Sequence, residues 1–182
     1  MQIEDGTGNG GYKVKVDNEN RAHVFAVTEP EDKHSNREGH VWSLQFSVTP
    51  AGAGDYFFYL ENTGTVTLAI TDIRVSSSVV TELNYDHVSG TPTYVTGTDV
   101  SVTSRLLGNT NTPTMSCKYD TDITGLSSSG TLFFEECANA NQRYKLSTSS
   151  NIMIPQGQAV AFRRTEATGL INCIVSLVDL SS

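Results

Sequence analysis

What is scarce in this chain limits it before what is abundant describes it. Among 182 residues there are three cysteines, Cys117, Cys137 and Cys173. That odd number, with no Cys-x-x-Cys pair, signals neither a disulfide framework nor a thiolate zinc site. Cys173 lies in the apolar run Leu170–Val178 and reads as a small buried hydrophobe. Long apolar stretches are also missing. The longest, such as Tyr56–Leu60, are far too short to cross a bilayer, and residues 1–25 lack the basic start and apolar run of a secretory signal. The expectation is a protein soluble as made, with no membrane partner. No Asn-x-Ser/Thr acceptor occurs although Asn, Ser and Thr are common, which fits a reduced compartment such as a cytoplasm.

Positive charge is sparse as well. Twelve Lys and Arg stand against twenty Asp and Glu, for a net charge of −8 and a pI of about 4.8. Phosphate binding needs a basic stripe, so nucleic acid is not an expected partner. Helical patterning is nearly absent. The one start signal, Thr28-Glu-Pro-Glu31, resembles a capping box with proline in the first turn, but Asp32–Gly39 after it contains no apolar residue. A turn or two of surface helix, or an irregular linker, is all it supports.

What is present is strand patterning. Val41–Val48 alternates in its second half, Asp55–Glu61 is rich in aromatics, and Thr65–Val75 places Val66, Leu68 and Ile70 on one face with threonine on the other. Turn formers separate such runs: Pro50–Gly54, Asn62–Gly64, Ser89–Pro92, Gly108–Pro113, Ser127–Gly130 and Pro155–Gly157. Half-buried antiparallel strands at this spacing predict an all-β sandwich or barrel. The length supports one core and an appendage. Residues 1–39 read as an N-terminal arm and linker, and residues 40–182 as the β-sandwich domain. The arm holds two alternating pieces, Tyr12–Val16 and Ala22–Val27, joined by the turn-like Asp17–Asn20. An isolated two-stranded hairpin is marginal in water, so the arm needs a partner surface.

Candidate chemistry is thin. The glycines Gly6, Gly8, Gly10 and Gly11 follow no strand and open no helix, so they read as a flexible lead-in and not as a phosphate loop. His23, His34, His40 and His87 have no spacing that places them on one face, so no metal site is assigned. Asp120 and Asp122, with Thr124, offer oxygen ligands to calcium but lack the glycine turn and distal glutamate of an EF-hand. Glu135 and Glu136 are adjacent on a strand and point to opposite faces, so they do not form a catalytic pair. No Gly-x-Ser-x-Gly elbow occurs. The reading is a non-enzymatic binding protein with no catalytic residues, no cofactor and no metal. The single tryptophan, Trp42, is expected in the core.

Several landmarks together carry a resemblance. They are Ile3–Gly8, Lys15–Asp17, Asn20-Arg21, His23 and Val27–Glu29, then Tyr59–Asn62, Gly97–Asp99 and Arg105–Asn109. The series ends with Ile152–Pro155, Gly157, Ala159–Ala161 and the closing run Asn172–Leu180. In these the chain resembles virion structural proteins of tailed bacteriophages, of the capsid decoration or cement (auxiliary head) type. The resemblance implies a jelly-roll-like antiparallel β-sandwich with an extended N-terminal arm, made in the host cytoplasm and located on the capsid surface of the virion. It further implies a homo-oligomer, a trimer, that binds the major capsid protein and stabilises the head. The arm residues Ile3, Tyr12, Val14, Val16, His23, Val24 and Phe25 would then form a protein interface, adding strands to neighbouring subunits. The alternative is a tail or fibre-associated receptor-binding module that recognises a host glycan or protein.

Overall fold

The computed structural model describes residues 39–146, 152–166 and 168–180, and the short pair 15–16 with 22–23. The chain divides into two compact units, Met1–Pro30 and Glu31–Ser182. In the first, β1 (Lys15–Val16) pairs antiparallel with β2 (Ala22–His23), setting Lys15 opposite His23 and Val16 opposite Ala22. The rest of the expected arm, including Ile3, Tyr12, Val14, Val24 and Phe25, lies outside the described residues, as do the side chains of Val16 and His23. The candidate helix start at residues 28–31, the glycine lead-in and His34 lie outside them too.

In the second unit every described element is a strand. They are β3 (Val41–Val48), β4 (Tyr56–Asn62), β5 (Leu68–Ser77), β6 (Thr81–Tyr94), β7 (Thr98–Asp99), β8 (Ser101–Ser104) and β9 (Met115–Cys137). After them come β10 (Arg143–Leu146), β11 (Ile152–Ile154), β12 (Ala159–Arg164) and β13 (Ile171–Asp179). Among the described residues no helix is long and apolar enough to cross a membrane.

Two antiparallel sheets face each other. The first runs β10–β5–β13–β3–β8, with β11 continuing the edge of β10 along β5. The second runs β4–β12–β6–β9, with β7 on the outside of β9. With β10 and β11 counted as one interrupted edge strand, the chain threads eight strands between the sheets in jelly-roll order. The sandwich expected from the sequence is present, and β8 and β7 widen it by one short edge strand on each sheet.

The core follows from alternation. In β3, Leu44, Phe46 and Val48 turn inward while Gln45 and Ser47 face out. A bulge in β5 at Thr71, opposite Ser176 and Leu177 of β13, shifts the inward set of β5 from Leu68 and Ile70 to Ile73 and Val75. Phe46 of the first sheet stacks on Phe58 of the second at 4.8 Å, and within the second sheet Phe58 meets Phe162 at 4.4 Å and Tyr85 meets Phe162 edge-on at 4.6 Å. Each such ring, removed from water, contributes about 1.5–3 kcal/mol. Trp42 is buried as expected, its indole N–H donating to the Asn111 carbonyl at 3.0 Å.

The second sheet closes on itself. The first part of β9 pairs with β4, from Met115 opposite Asn62 to Ile123 opposite Tyr56, and the rest pairs with β6. One 23-residue strand therefore borders both β4 and β6, the strands flanking β12. The face turned away from the main core is thus partly enclosed. It holds a second cluster of Tyr59, Val88, Ile123, Ala159 and Ala161, with Tyr56, Tyr94 and Leu126 against it.

Two expected turns are corrected here. Ser89–Pro92 lies inside β6 and Ser127–Gly130 inside β9. Their glycines serve bulges: the register shifts between His87 and Val88 and again between Gly90 and Thr93. Gly90 (φ 105°) and Gly125 (φ 77°) face each other so closely that a Cβ on either would meet the opposite backbone carbonyl, of Gly125 or Thr91. Glycine at both places lets the β6–β9 ribbon bend sharply enough for β9 to reach β4.

Candidate functional site

The most developed polar cluster lies on the enclosed face of the second sheet. Asp86 of β6 is fully buried and accepts three hydrogen bonds. These come from Arg163 Nε of β12 at 2.6 Å, the Thr131 hydroxyl of β9 at 2.7 Å and the Tyr56 hydroxyl of β4 at 2.9 Å. Bulges at Phe162/Arg163, Tyr85/Asp86 and Tyr56/Phe58 turn these side chains toward one another. Burial alone would raise the Asp86 pKa, but the bonds from Arg163, Thr131 and Tyr56 outweigh it and hold the carboxyl below its ordinary range. Tyr56 is pushed up by burial and by its bond to Asp86, and Arg163 is pushed up by the same carboxylate. A carboxylate held ionised by three donors carries its charge at neutral pH and is fixed in place by them. Its effect is to tie together β4, β6, β9 and β12.

Asp120 is similar. Its oxygens accept the backbone N–H of Thr121 at 2.6 Å, Thr96 at 2.7 Å and Gly97 at 2.9 Å. These bonds overcome the effect of burial and depress its pKa. Amide N–H groups pointed at both oxygens oppose a cation, so Asp120 is engaged in holding the Thr96–Gly97 turn. Asp122 itself is pushed up by burial and by the neighbouring Asp55 and Asp120 carboxylates. Among the described residues no group of three His, Cys, Asp or Glu is placed to hold a metal ion.

The thiols are unpaired and poorly suited to attack. Burial pushes Cys137 up to about 11, and raises Cys117 and Cys173 further. Of the histidines, His87 bonds Gln158 at 2.9 Å beside an apolar cleft of about 330 Å³ lined by Leu132, Met153 and Pro155. His40 stacks on Trp42 with ring centroids 6.5 Å apart. Glu135 faces Leu83 and Glu136 faces Glu82 across the β6–β9 ladder, so the two neighbours do turn to opposite sides.

The outer faces sort charge. On the first sheet, the row Arg143–Ser76–Asn172–Ser47 and the row Lys145–Arg74–Ile174–Gln45 run side by side across β10, β5, β13 and β3. Arg105, just past β8, donates to the hydroxyls of Ser43 and Ser176 on the same face. Asp72 is the one carboxylate of this group, bonded by Arg74 Nε at 2.8 Å and approached by Lys145 at 3.5 Å. At the open end of the second sheet's enclosed face, Glu82 and Glu136 sit directly opposite each other beside Phe134, which is 67% exposed.

Family models, curated proteins and solved structures were all compared with the chain, and none matches it.

The Asp86 cluster was not singled out in the sequence. Its signal is faint but present: Asp86 interrupts the run from Leu83 to Val88, and Arg163 ends the apolar run Ala159–Phe162. A charge of each sign within core-forming strands calls for a partner, because a buried unpaired charge is costly.

Proposed function

We propose that this chain is a non-enzymatic virion structural protein of a tailed bacteriophage, a capsid decoration protein. It binds the major capsid protein lattice and stabilises the head as a homo-oligomer, a trimer, on the capsid surface. The observation that carries this reading is the β1–β2 pair in a unit compact by itself, Met1–Pro30. Two strands of two residues each are too few to persist alone in water. A segment of that kind gains order by joining another surface, and strand addition supplies main-chain hydrogen bonds for it. The jelly-roll order supports the same reading, being the fold implied by the resemblance, while the polar clusters above serve the fold and not chemistry.

A protein that binds only the assembled shell stabilises it by mass action, by about 2.7 kcal/mol per site at a free concentration one hundred times Kd. The test uses phage heads lacking the protein, mixed with the full chain or with a form starting at residue 28. The full chain is expected to co-sediment with heads and raise their disruption temperature, and the truncated form to do neither. Binding retained by the truncated form would refute the role of the arm. No binding by the full chain would refute decoration.

A further inference from the structure

We propose that the basic outer face of the first sheet docks the acidic rim of the second sheet on another copy of this chain, in a head-to-tail contact. Residues 39–182 contain seven Lys and Arg: Arg74, Arg105, Lys118, Arg143, Lys145, Arg163 and Arg164. Four of them, Arg74, Arg105, Arg143 and Lys145, share one sheet face with a single carboxylate, Asp72, in a chain of net charge −8. Asp72 is already shared by Arg74 and Lys145, whose side chains remain 47% and 54% exposed. Arg143 makes no ion pair with the described residues. It borders a shallow hollow of about 130 Å³ with Arg74, Gln45 and Asn172. The Asn172 carbonyl oxygen is taken by the Ser47 hydroxyl at 2.7 Å, which leaves its amide N–H₂ to donate into the hollow. The hollow is therefore rich in donors, two of them guanidinium forks suited to a carboxylate.

The complementary feature breaks a rule of sheet construction. Like charges directly opposite in an antiparallel ladder are destabilising, yet Glu82 faces Glu136. Neither makes an ion pair with the described residues, and the nearest cation along the row, Arg163, is committed to Asp86. Exposed Phe134 beside them supplies an apolar anchor. The first patch keeps a net positive charge beyond Asp72 and the second has no cation paired to it among the described residues, so the two are opposite in sign. The net negative charge opposes association in general, and bringing the two matched faces together lowers that cost. Two different patches meeting make a heterologous contact, which closes to a ring when the rotation permits. This pairing rests on the homo-oligomer proposed above, but it is read in pure protein without capsids, so the two can fail separately.

The test is sedimentation velocity on the full chain at about 0.05 M and about 0.5 M salt, where the screening length falls from more than 10 Å to a few Å. Two charge reversals are compared, Arg143→Glu with Lys145→Glu, and Glu82→Lys with Glu136→Lys. Neutral forms of the same pairs, with glutamine at each position, guard against misfolding. The wild-type oligomer is expected to weaken in high salt, and each reversal to weaken it by at least about tenfold. A chain carrying all four reversals should recover association, because its basic and acidic faces are then exchanged and match again in every copy. An oligomer indifferent to salt and to both reversals would overturn the proposal, as would a fourfold variant that stays dissociated. A wild-type chain that remains monomeric while its basic face binds only an added acidic protein would overturn it too.

Discussion

Removing the Asp86 carboxylate, by Asp86→Ala, tests the central polar cluster most directly. The side chain is fully buried and accepts three hydrogen bonds at 2.6–2.9 Å. Two come from neutral hydroxyls, worth about 1 kcal/mol each, and one from a guanidinium, worth about 1.5–3 kcal/mol. The sum, about 3.5–5 kcal/mol, agrees with the loss of about 3–5 kcal/mol seen when one member of a buried ion pair is deleted. For a chain of this size each kcal/mol moves Tm by about 2–4 °C, so a fall of about 10 °C is expected. Denaturant unfolding followed by fluorescence of Trp42, the single and buried tryptophan, measures the loss directly. A double-mutant cycle with Arg163→Met isolates the ion pair, with an expected coupling of about 1.5–3 kcal/mol. The pH dependence has a definite sign. Because the folded-state pKa of Asp86 is lowered, its stabilising contribution is full above the unfolded value of about 3.9 and is lost as pH falls through the lower folded value. The Asp86→Ala protein should lack that component of acid sensitivity. A loss under about 1 kcal/mol, or an acid profile parallel to wild type, would refute the assignment of Asp86 as the ionised centre of the cluster.

Two further outcomes follow from the same geometry. Gly125→Ala should cost about 1–3 kcal/mol from its left-handed backbone alone, and more from the contact with the Thr91 carbonyl. Its thermal melt should shift accordingly, and an unchanged Tm would mean that the β6–β9 bend tolerates a side chain. With Cys137 near 11 and the other two thiols higher, the thiolate fraction at pH 8 is about one in a thousand or less. An aromatic disulfide reagent should therefore label the native protein negligibly and all three cysteines once denaturant is added; prompt labelling of the native form would contradict the raised pKa of the half-buried Cys117 and the burial of Cys137 and Cys173.

Much of the fold is legible in the sequence because alternation is a local property. Val41–Val48 is β3 to the residue, the aromatic run after Asp55 is β4, and Trp42 and Cys173 are buried as their apolar surroundings require. The all-β class, the polar outward positions and the absence of helix patterning follow from the same period of two, which depends only on neighbours in the chain. The hairpin partner of Lys15–Val16 is legible for the same reason, since its strands are only a few residues apart.

Strand order, by contrast, is decided by which distant edges meet. Jelly-roll threading places β3 beside β13 and β12 between β4 and β6, and no local pattern distinguishes it from other sandwiches. Ser89–Pro92 and Ser127–Gly130 contain the residues of turns, but a glycine at positive φ serves a bulge as readily as a turn, and only the ladder around it selects between them. The Asp86–Arg163 pair joins residues 77 apart, and the sorting of cations and carboxylates onto separate faces depends on register across four strands. Amino-acid order alone determined that this chain would make strands and which side chains they would bury. Tertiary pairing decided where the remaining charges gather, because a one-residue change of register sends every side chain of a strand to the other face.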